Sequence, residues 1–324
     1  MNKRTRVLNA MDSKPVDRVP VSFYTHFLSK EAEADNGVTA QVNWMKECGM
    51  DFLCVETDGY MEYPLKHNSG TIQDWSDLRN LKKTSSYFTG QLDRAKRIVD
   101  YLPDVCTFFM LFAPFTTIKH TTGGESKIME YYASDQQLLW DAMKIIEEDT
   151  FILADRLMKE TGITGFFVAL QNAETNRFRK QDYEAYLRQW DINLLNHVNG
   201  LSSYNITHFC SWTGIPNNLD LWMDYPYQTV NWSVNIEPKM NLSQGRACFK
   251  KGTSVMGGFD NTPNGILYRG NQQEIKEFTK RQLDLGGQVG TLLSADCSVQ
   301  MDQDPKRIRY VIEACEEYAQ DNNG

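Results

Sequence analysis

His208 and Cys210 lie two residues apart in the apolar segment NITHFCSWTG (205–214). Successive side chains of an extended chain point to opposite faces, so both residues would project to the same side of a strand. A further cysteine, Cys297, directly follows the apolar segment TLLSAD (291–296). One imidazole and two thiolates form a donor set that suits Zn²⁺, and three protein ligands leave a fourth position open, as in catalytic zinc sites. The sequence therefore predicts a zinc site at His208, Cys210 and Cys297.

A simpler interpretation of these three residues needs no metal. Cysteine is often buried as a small hydrophobe, and a histidine in an apolar strand is more often hydrogen-bonded than bound to a metal. A His-x-Cys pair with a distant Cys also arises easily by accident. What favours the metal interpretation is the position of all three residues at the ends of predicted strands.

Eight short apolar segments alternate with longer segments of helical periodicity. Strands are predicted at 19–25, 51–56, 106–112, 165–170, 207–212, 229–234, 254–259 and 291–296. Helices are predicted at 37–49, 88–101, 126–161, 182–199, 216–225, 243–251, 272–285 and 304–319. Eight apolar strands alternating with helices are typical of a single (β/α)8 TIM barrel, here spanning residues 1–324 as one α/β domain. A doubly wound open sheet is the alternative, but no G-x-G-x-x-G segment follows the first strand.

In a (β/α)8 barrel the chemistry lies at the C-terminal ends of the strands and in the loops that follow them. Glu56 and Asp58 lie at or just beyond the end of the second predicted strand. His120, preceded by Lys119, is predicted in the loop after the third strand. We predict Glu56, Asp58 and His120 as catalytic residues, although the carboxylates would serve equally well to cap a helix or bind water. The remaining histidines are predicted to be loop or helix-surface residues: His26, His67 and His197.

Composition and charge exclude several classes of function. The chain has 324 residues, of which 41% are hydrophobic and 12% aromatic, so it can bury a large core. A formal net charge of −8 leaves no basic face for a nucleic acid. No stretch of ~18 apolar residues occurs, and charges occupy the N-terminus where a secretory signal would be apolar. The seven cysteines are scattered without the spacing of a disulfide scaffold, so we expect a cytoplasmic protein with no membrane segment.

Five segments resemble the uroporphyrinogen decarboxylase superfamily in order and spacing. They are RVLNAMDSKPVDRVPV, FAPFTTIKHTTGGES, FCSWTG, MGGFDN and DQDPKRIRYVIEAC. The superfamily has two well-known branches on one barrel: the cofactor-free decarboxylases of haem synthesis, and zinc methyltransferases that move a methyl group between a corrinoid and a thiol such as coenzyme M. The resemblance covers nearly the whole chain and implies a (β/α)8 barrel.

Replacements within these motifs favour the methyltransferase branch. The decarboxylases carry R-Q-A-G-R-Y after the first strand, whereas this sequence has FYTHFLSKE, without an arginine. Cys210 stands in the place of the Asp of F-D-S-W-A-G, Cys297 in the place of a late G-H-G histidine, and His120 in the place of the active-site Tyr. Glu56 or Asp58 lies in the region of the decarboxylase's catalytic Asp, which is compatible with both branches.

The resemblance implies a zinc-dependent methyltransferase acting between a corrinoid and a thiol or related small-molecule acceptor. We expect the corrinoid on a separate partner protein, because no segment resembles a second cofactor domain. Two alternatives remain open at this point. One is a decarboxylase of a tetrapyrrole or smaller acid, and the other is a non-catalytic barrel that binds a metal or a corrinoid.

Overall fold

A parallel sheet of seven strands forms the centre of the fold. The computed structural model describes residues 1–28, 34–237 and 240–323. Within these ranges the strands follow one another across the sheet in chain order: β1 Phe52–Val55, β2 Cys106–Phe112, β3 Gly165–Leu170, β4 Ile206–Phe209, β5 Thr229–Trp232, β6 Ser254–Phe259 and β7 Thr291–Ala295. Every strand residue is buried, as a parallel sheet requires. The last seven predicted strands are therefore confirmed.

Helices connect the strands and supply the outer layer. In the described part of the chain they are α1 Lys3–Met11, α2 Ala34–Cys48, α3 Ser86–Tyr101, α4 Pro114–Thr121, α5 Glu125–Ser134, α6 Gln136–Glu160, α7 Lys180–Tyr186, α8 Arg188–Leu201, α9 Leu242–Cys248, α10 Ile266–Arg269, α11 Gln272–Gly286 and α12 Pro305–Asn323. In α3, for example, Phe88, Leu92 and Ala95 form a buried stripe at helical spacing. Over the described residues, none of the helices has the length and apolar character needed to cross a membrane.

Two long helical predictions correspond to pairs of shorter helices. The predicted helix 126–161 is divided into α5 and α6, because Asp135 ends the first and its side chain accepts the backbone N–H of Leu138 at 3.0 Å, which caps the second. The predicted helix 182–199 is likewise divided into α7 and α8. These breaks leave the chain path between the strands unchanged.

Two other segments differ in kind from the prediction. The range 216–225 contains only a short 3-10 turn, Leu219–Leu221, in place of a helix. The segment after β2 is the helix α4, where a loop was predicted. Pro114 occupies its first position, where the missing N–H leaves no helical hydrogen bond unmade. Lys119 and His120 therefore lie on a helix that begins immediately after β2.

The first predicted strand, 19–25, is an extended segment and not a regular strand. Val21 makes an isolated parallel bridge with Leu293 of β7, and Thr25 makes another with Val299. On its other side, the Val21 carbonyl accepts the backbone N–H of Asp51, just before β1, at 2.9 Å. The prediction of eight regular strands is thus corrected to a seven-stranded sheet whose two edges both contact this segment.

Side chains from elsewhere take the backbone groups that a regular strand would use. Pro20 has no N–H to donate to a neighbouring strand. The N–H of Val21 donates to the Asp51 carboxylate at 2.9 Å, and the N–H of Phe23 lies 3.0 Å from the Met50 sulfur. The N–H of Ser22, between them, still donates to the Leu293 carbonyl of β7 at 3.1 Å. A continuous ladder therefore cannot form on the side of β1, where the donors of Val21 and Phe23 are already used.

A buried ionic network fixes the N-terminal segment to the beginning of β1. Asp51 is fully buried and pairs with Arg6 and with Arg18, each at 2.7 Å. Arg6 also pairs with the partly exposed Asp17 at 2.7 Å. Removing one partner from such a network leaves charges buried without compensation. The network therefore holds the segment from the end opposite to the predicted zinc site.

Candidate metal centre and its cavity

The three predicted metal ligands converge at the C-terminal ends of two strands. His208 belongs to β4, Cys210 follows it directly, and Cys297 lies two residues beyond β7. One ligand atom from each side chain lies within 4.8 Å of the other two. Their exposed fractions are 2% for His208, 4% for Cys210 and 8% for Cys297. The parallel sheet thus brings together residues that are distant in sequence, and their role as metal ligands stays a prediction.

The donor set fits a zinc ion. Nδ1 of His208 is buried and has no hydrogen-bond partner in the described part of the chain, while Nε2 lies 3.3 Å from the Tyr24 hydroxyl. A buried polar atom without a partner is costly, and a metal ion would supply the missing interaction. One nitrogen and two sulfurs are ligands that Zn²⁺ prefers, so His208, Cys210 and Cys297 could hold this ion with a position left for a substrate.

The two thiols differ in their tendency to ionise. Their mutual hydrogen bond, followed by burial, raises the pKa of Cys210. The same hydrogen bond lowers the pKa of Cys297 against the opposing effect of burial, and His208 and Tyr24 lower it further. The side-chain amide of Gln171 also donates to the Cys210 sulfur at 3.7 Å. Of the two thiols, Cys297 therefore ionises more readily, and the thiolate is the form that binds metals.

A cavity of about 490 Å³ opens beside the three residues. This volume lies in the range of sites for small organic molecules. Besides the three predicted ligands, its lining includes His26, Lys119, His120, Gln171 and Trp212. The cavity therefore offers space for a substrate directly beside the predicted zinc position.

Lys119 and His120 reach the cavity from α4. Lys119 is 1% exposed, donates to the Gln171 side-chain oxygen and pairs with Glu125 at 2.9 Å. Burial lowers the pKa of Lys119 to about 8. Burial and the neighbouring Lys119 lower the pKa of His120 to about 3, so its imidazole is neutral at pH 7. Nε2 of His120 has no hydrogen-bond partner among the described residues and can bind a ligand in the cavity.

A second cluster combines the two predicted catalytic carboxylates with His26. Nδ1 of His26 lies 2.9 Å from Oδ1 of Asp58 and 3.4 Å from Oε2 of Glu56. His26 lines the cavity, whereas the buried Glu56 and Asp58 do not. His26 is a partly exposed loop residue, as predicted, but no sequence pattern indicated its place at the cavity, because its partners lie 30 or more positions away. A catalytic role for Glu56 and Asp58 stays a prediction. They do not line the cavity themselves but contact His26, which does.

The other two histidines lie where they were predicted. His67 is exposed outside the helices and strands. His197 is on α8, where Nε2 lies 2.9 Å from Asp155 and the ring stacks on Phe151. Neither residue lines the cavity.

Protonated Glu56 and His26 should stabilise the metal-free protein, and their contribution should fall as the pH rises from 5 to 9. Burial raises the pKa of Glu56 to about 8, against ~4.3 in an unfolded chain. Burial opposes protonation of His26, but Glu56 and Asp58 outweigh it and raise its pKa to about 9, against ~6.5 unfolded. In both cases the folded state binds more protons in this window, so the contribution of these two groups to the free energy of unfolding falls as the pH rises. His120 and Lys119, whose pKa values are lowered, act in the opposite direction and are common to the wild type and the Glu56→Gln variant.

The Glu56→Gln variant should show a shallower decline, because one of the two linked protons is absent. Urea unfolding at pH 5, 7 and 9 in the presence of a chelator measures the difference, which we expect to reach at least about 1 kcal/mol. The exposed variant Asp155→Asn should retain the wild-type slope. Identical slopes in Glu56→Gln and the wild type would show that Glu56 does not titrate in this window.

Ionisable residues gathered around a cavity at the ends of parallel strands are typical of an α/β enzyme. The sequence model described as "Uroporphyrinogen decarboxylase (URO-D)" matches residues 45–318, and the chain therefore belongs to this family. No curated protein matches the chain.

Solved structures share the architecture at low sequence identity. A B12-independent methionine synthase from Shewanella sp. W3-18-1, in complex with selenomethionine, is 14% identical, with a TM-score of 0.54 over 95% of each chain. A β-mannanase from the blue mussel Mytilus edulis is 9% identical, with a TM-score of 0.46 over 91% of each chain. PhdJ bound to a substrate intermediate is 10% identical, with a TM-score of 0.42 over 94% of this chain and 76% of that one. The first likeness shows a shared fold, and nothing further follows from the other two.

Proposed function

We propose that the chain is a zinc-dependent methyltransferase that moves a methyl group between a corrinoid and a small thiol. The observation that carries this proposal is the convergence of His208, Cys210 and Cys297 within 4.8 Å beside a cavity of about 490 Å³. Zinc held by these residues would lower the pKa of a substrate thiol, so that the nucleophilic thiolate forms at neutral pH. Membership of the uroporphyrinogen decarboxylase family is compatible with this activity and does not by itself select it.

Protein groups beside the predicted ligands are arranged to orient them. Lys119 donates to the side-chain oxygen of Gln171, which leaves the amide N–H groups of Gln171 directed to the Cys210 sulfur. The Tyr24 hydroxyl lies 3.3 Å from His208 Nε2 and restricts the imidazole ring. All these side chains are buried, and exclusion of water strengthens such polar interactions. We propose that they hold the donor atoms in place while a substrate enters.

The cavity offers two imidazoles in opposite protonation states at pH 7. His120 is neutral, since burial lowers its pKa to about 3, and His26 is cationic, since its carboxylate neighbours overcome burial and raise its pKa to about 9. We propose that His120 contacts the substrate by a hydrogen bond and that His26 supplies a positive charge beside the incoming sulfur. Glu56 and Asp58 then act as positioning residues that hold His26.

We propose that the corrinoid reaches the cavity on a partner protein that docks at the mouth. Trp212 lines the cavity and is 54% exposed, and Met301 is 46% exposed beside the lining residue Gln300. Exposed apolar side chains at a cavity rim are suited to cover a large organic ring. The corrinoid itself is inferred from the methyltransferase-like motifs, because the methionine synthase of similar fold is by its name independent of B12.

Purified, zinc-loaded protein should transfer the methyl group of methylcobalamin to a thiol. The assay follows loss of the methyl–cobalt absorption and formation of the methyl thioether by mass spectrometry, with 2-mercaptoethanesulfonate, homocysteine and cysteine as acceptors. Turnover should disappear with a chelator and return with Zn²⁺. The exposed-thiol variant Cys248→Ser should behave as the wild type. Absence of a thioether with every acceptor, both with free methylcobalamin and with methylated corrinoid proteins, would overturn the proposal.

The same preparation tests the decarboxylase alternative with uroporphyrinogen as substrate. A polycarboxylate needs cationic partners. Among the described residues that line the cavity, Lys119 and His26 are the cationic side chains; Lys119 is already paired with Glu125 and His26 with Asp58. We expect no efficient formation of coproporphyrinogen, and its robust production would favour decarboxylation. Bound zinc without turnover in either assay would favour a non-catalytic metal-binding barrel.

A further inference from the structure

Glu56 is a buried carboxylate whose oxygens accept no hydrogen bond within the described part of the chain. It is 1% exposed, and both Oε1 and Oε2 lack a hydrogen-bond partner. Asp58 differs, because its Oδ2 accepts the backbone N–H of Phe27 at 2.6 Å. A carboxylate buried in this way needs a proton or a cation to compensate for lost hydration. Apart from its ion pair with Nδ1 of His26 at 3.4 Å, Glu56 therefore has lone pairs available to a ligand.

The backbone that carries these carboxylates is fixed on both sides. Gln41 accepts the backbone N–H of Glu56 at 2.7 Å and donates to its carbonyl at 3.3 Å. Arg94 donates to the carbonyl of Glu56 at 3.1 Å and to that of Asp58 at 2.7 Å. Supporting bonds of this kind orient ligands in metal sites. Glu56 and Asp58 are thus both directed to Nδ1 of His26.

We propose that His26, Glu56 and Asp58 form a second cation site, which binds a divalent metal ion through one nitrogen and two carboxylate oxygens. One such atom from each residue lies within 4.8 Å of the other two. Carboxylate oxygens are harder ligands than the thiolate sulfurs of Cys210 and Cys297. A set of one nitrogen and two such oxygens suits Mn²⁺, Fe²⁺, Co²⁺ or Zn²⁺. The site depends on none of the three predicted zinc ligands.

The position of His26 indicates what the second ion would do. His26 lines the cavity, so an ion bound to it would lie beside the space for a substrate. The ion would displace the ring proton of His26 and would itself supply the positive charge that the protonated imidazole supplies in the metal-free cluster. Its remaining coordination positions would take water or an oxygen group of a molecule in the cavity. The ligand class is therefore a small molecule with a carboxylate, hydroxyl or carbonyl oxygen in addition to its reacting group.

Protons compete with the cation for this site. Burial raises the pKa of Glu56 to about 8, so the metal-free cluster keeps a proton that a metal ion must displace. The charged and titratable groups that act on Glu56 are His26, Asp58, Cys297 and Arg94.

Cobalt titration of the metal-free protein tests the second site separately from the first. Wild-type protein should bind two equivalents of Co²⁺, of which one produces the near-ultraviolet charge-transfer band of a cobalt thiolate. Glu56→Gln should lose one equivalent and retain the band. Cys297→Ser should lose the cobalt–thiolate band. It should still bind the Co²⁺ equivalent of the second site, which is the one that Glu56→Gln removes. His26→Gln should give the same result as Glu56→Gln. It changes a partly exposed position, so it serves as the substitute if Glu56→Gln does not fold.

A matched control comes from the surface pair of His197 and Asp155, which are 2.9 Å apart and, among the described residues, belong to no group of three that could hold a metal ion. His197→Gln should still bind both equivalents. A single equivalent in the wild type, accompanied by the band, would overturn the second site and leave the thiolate site intact. Two equivalents in both Glu56→Gln and His26→Gln would also overturn it. An equivalent that depends on Glu56, without any band, would support the second site and contradict the proposed zinc ligands.

Discussion

Cys297→Ser should lose nearly all bound zinc while the protein remains folded. Cys297 lies beyond the end of β7, outside the packed strand interior, so its replacement should change stability little. His208 and Cys210 alone would hold the ion poorly, and a serine hydroxyl is a weak substitute for a thiolate. We expect occupancy to fall at least about tenfold, by analogy with the effects of weaker changes around metal sites. Elemental analysis of folded protein purified without a His-tag measures it.

Two cysteines outside the cluster serve as controls for this experiment. Cys248 is exposed on α9, and Cys315 is a buried thiol on α12. Their serine variants should keep wild-type zinc, and any methyl transfer should fall in proportion to occupancy in Cys297→Ser alone. Equal zinc content in Cys297→Ser and the wild type would contradict the proposed three-residue zinc site and the methyltransferase activity that depends on it.

Asp51→Ala should lower the free energy of unfolding by ~3–5 kcal/mol. Asp51 is fully buried and pairs with both Arg6 and Arg18 at 2.7 Å, so the variant removes the buried carboxylate that the two guanidinium groups share. It leaves them with the more exposed Asp17 and Glu316. It also removes the acceptor of the Val21 N–H, which attaches the N-terminal segment to β1. Urea unfolding at constant pH measures the loss.

Asp155→Ala removes an exposed carboxylate of a surface pair and provides the comparison. Such pairs contribute ~0–1 kcal/mol, so its stability should stay close to that of the wild type. A loss below about 1 kcal/mol in Asp51→Ala would show that the two arginines find other partners or water. Zinc content of folded Asp51→Ala should be unchanged, because Asp51 precedes β1 and the predicted zinc ligands follow β4 and β7.

The buried strands could be predicted because each is a short continuous apolar segment, as in TLLSA of β7. The segment 19–25 has the same composition, but its backbone bonds depend on side chains from elsewhere, such as Asp51 and Met50. No local pattern encodes those contacts. The break at Asp135 did have a local signal, since an aspartate that caps a following helix is a recognised start of a helix.

The convergence of the predicted zinc ligands could be foreseen because it depends on two local rules. Residues two apart in a strand share a face, which pairs His208 with Cys210, and strand ends of a parallel sheet meet at one edge, which adds Cys297. His26 was missed although it directly follows a predicted strand. Its importance comes from Glu56 and Asp58, and only the folded chain brings these three residues together.

The bridges of the extended N-terminal segment also set an order of assembly during synthesis. Val21 and Thr25 leave the ribosome well before their partners Leu293 and Val299, which are 272 and 274 positions later in the chain. The local partner Asp51 is available almost at once, while closing the long loop to β7 must wait for the rest of the sheet. In a nascent chain that stops before β7, the backbone groups of this segment that would bond to β7 are left unpaired. They form an exposed edge to which another chain can bind.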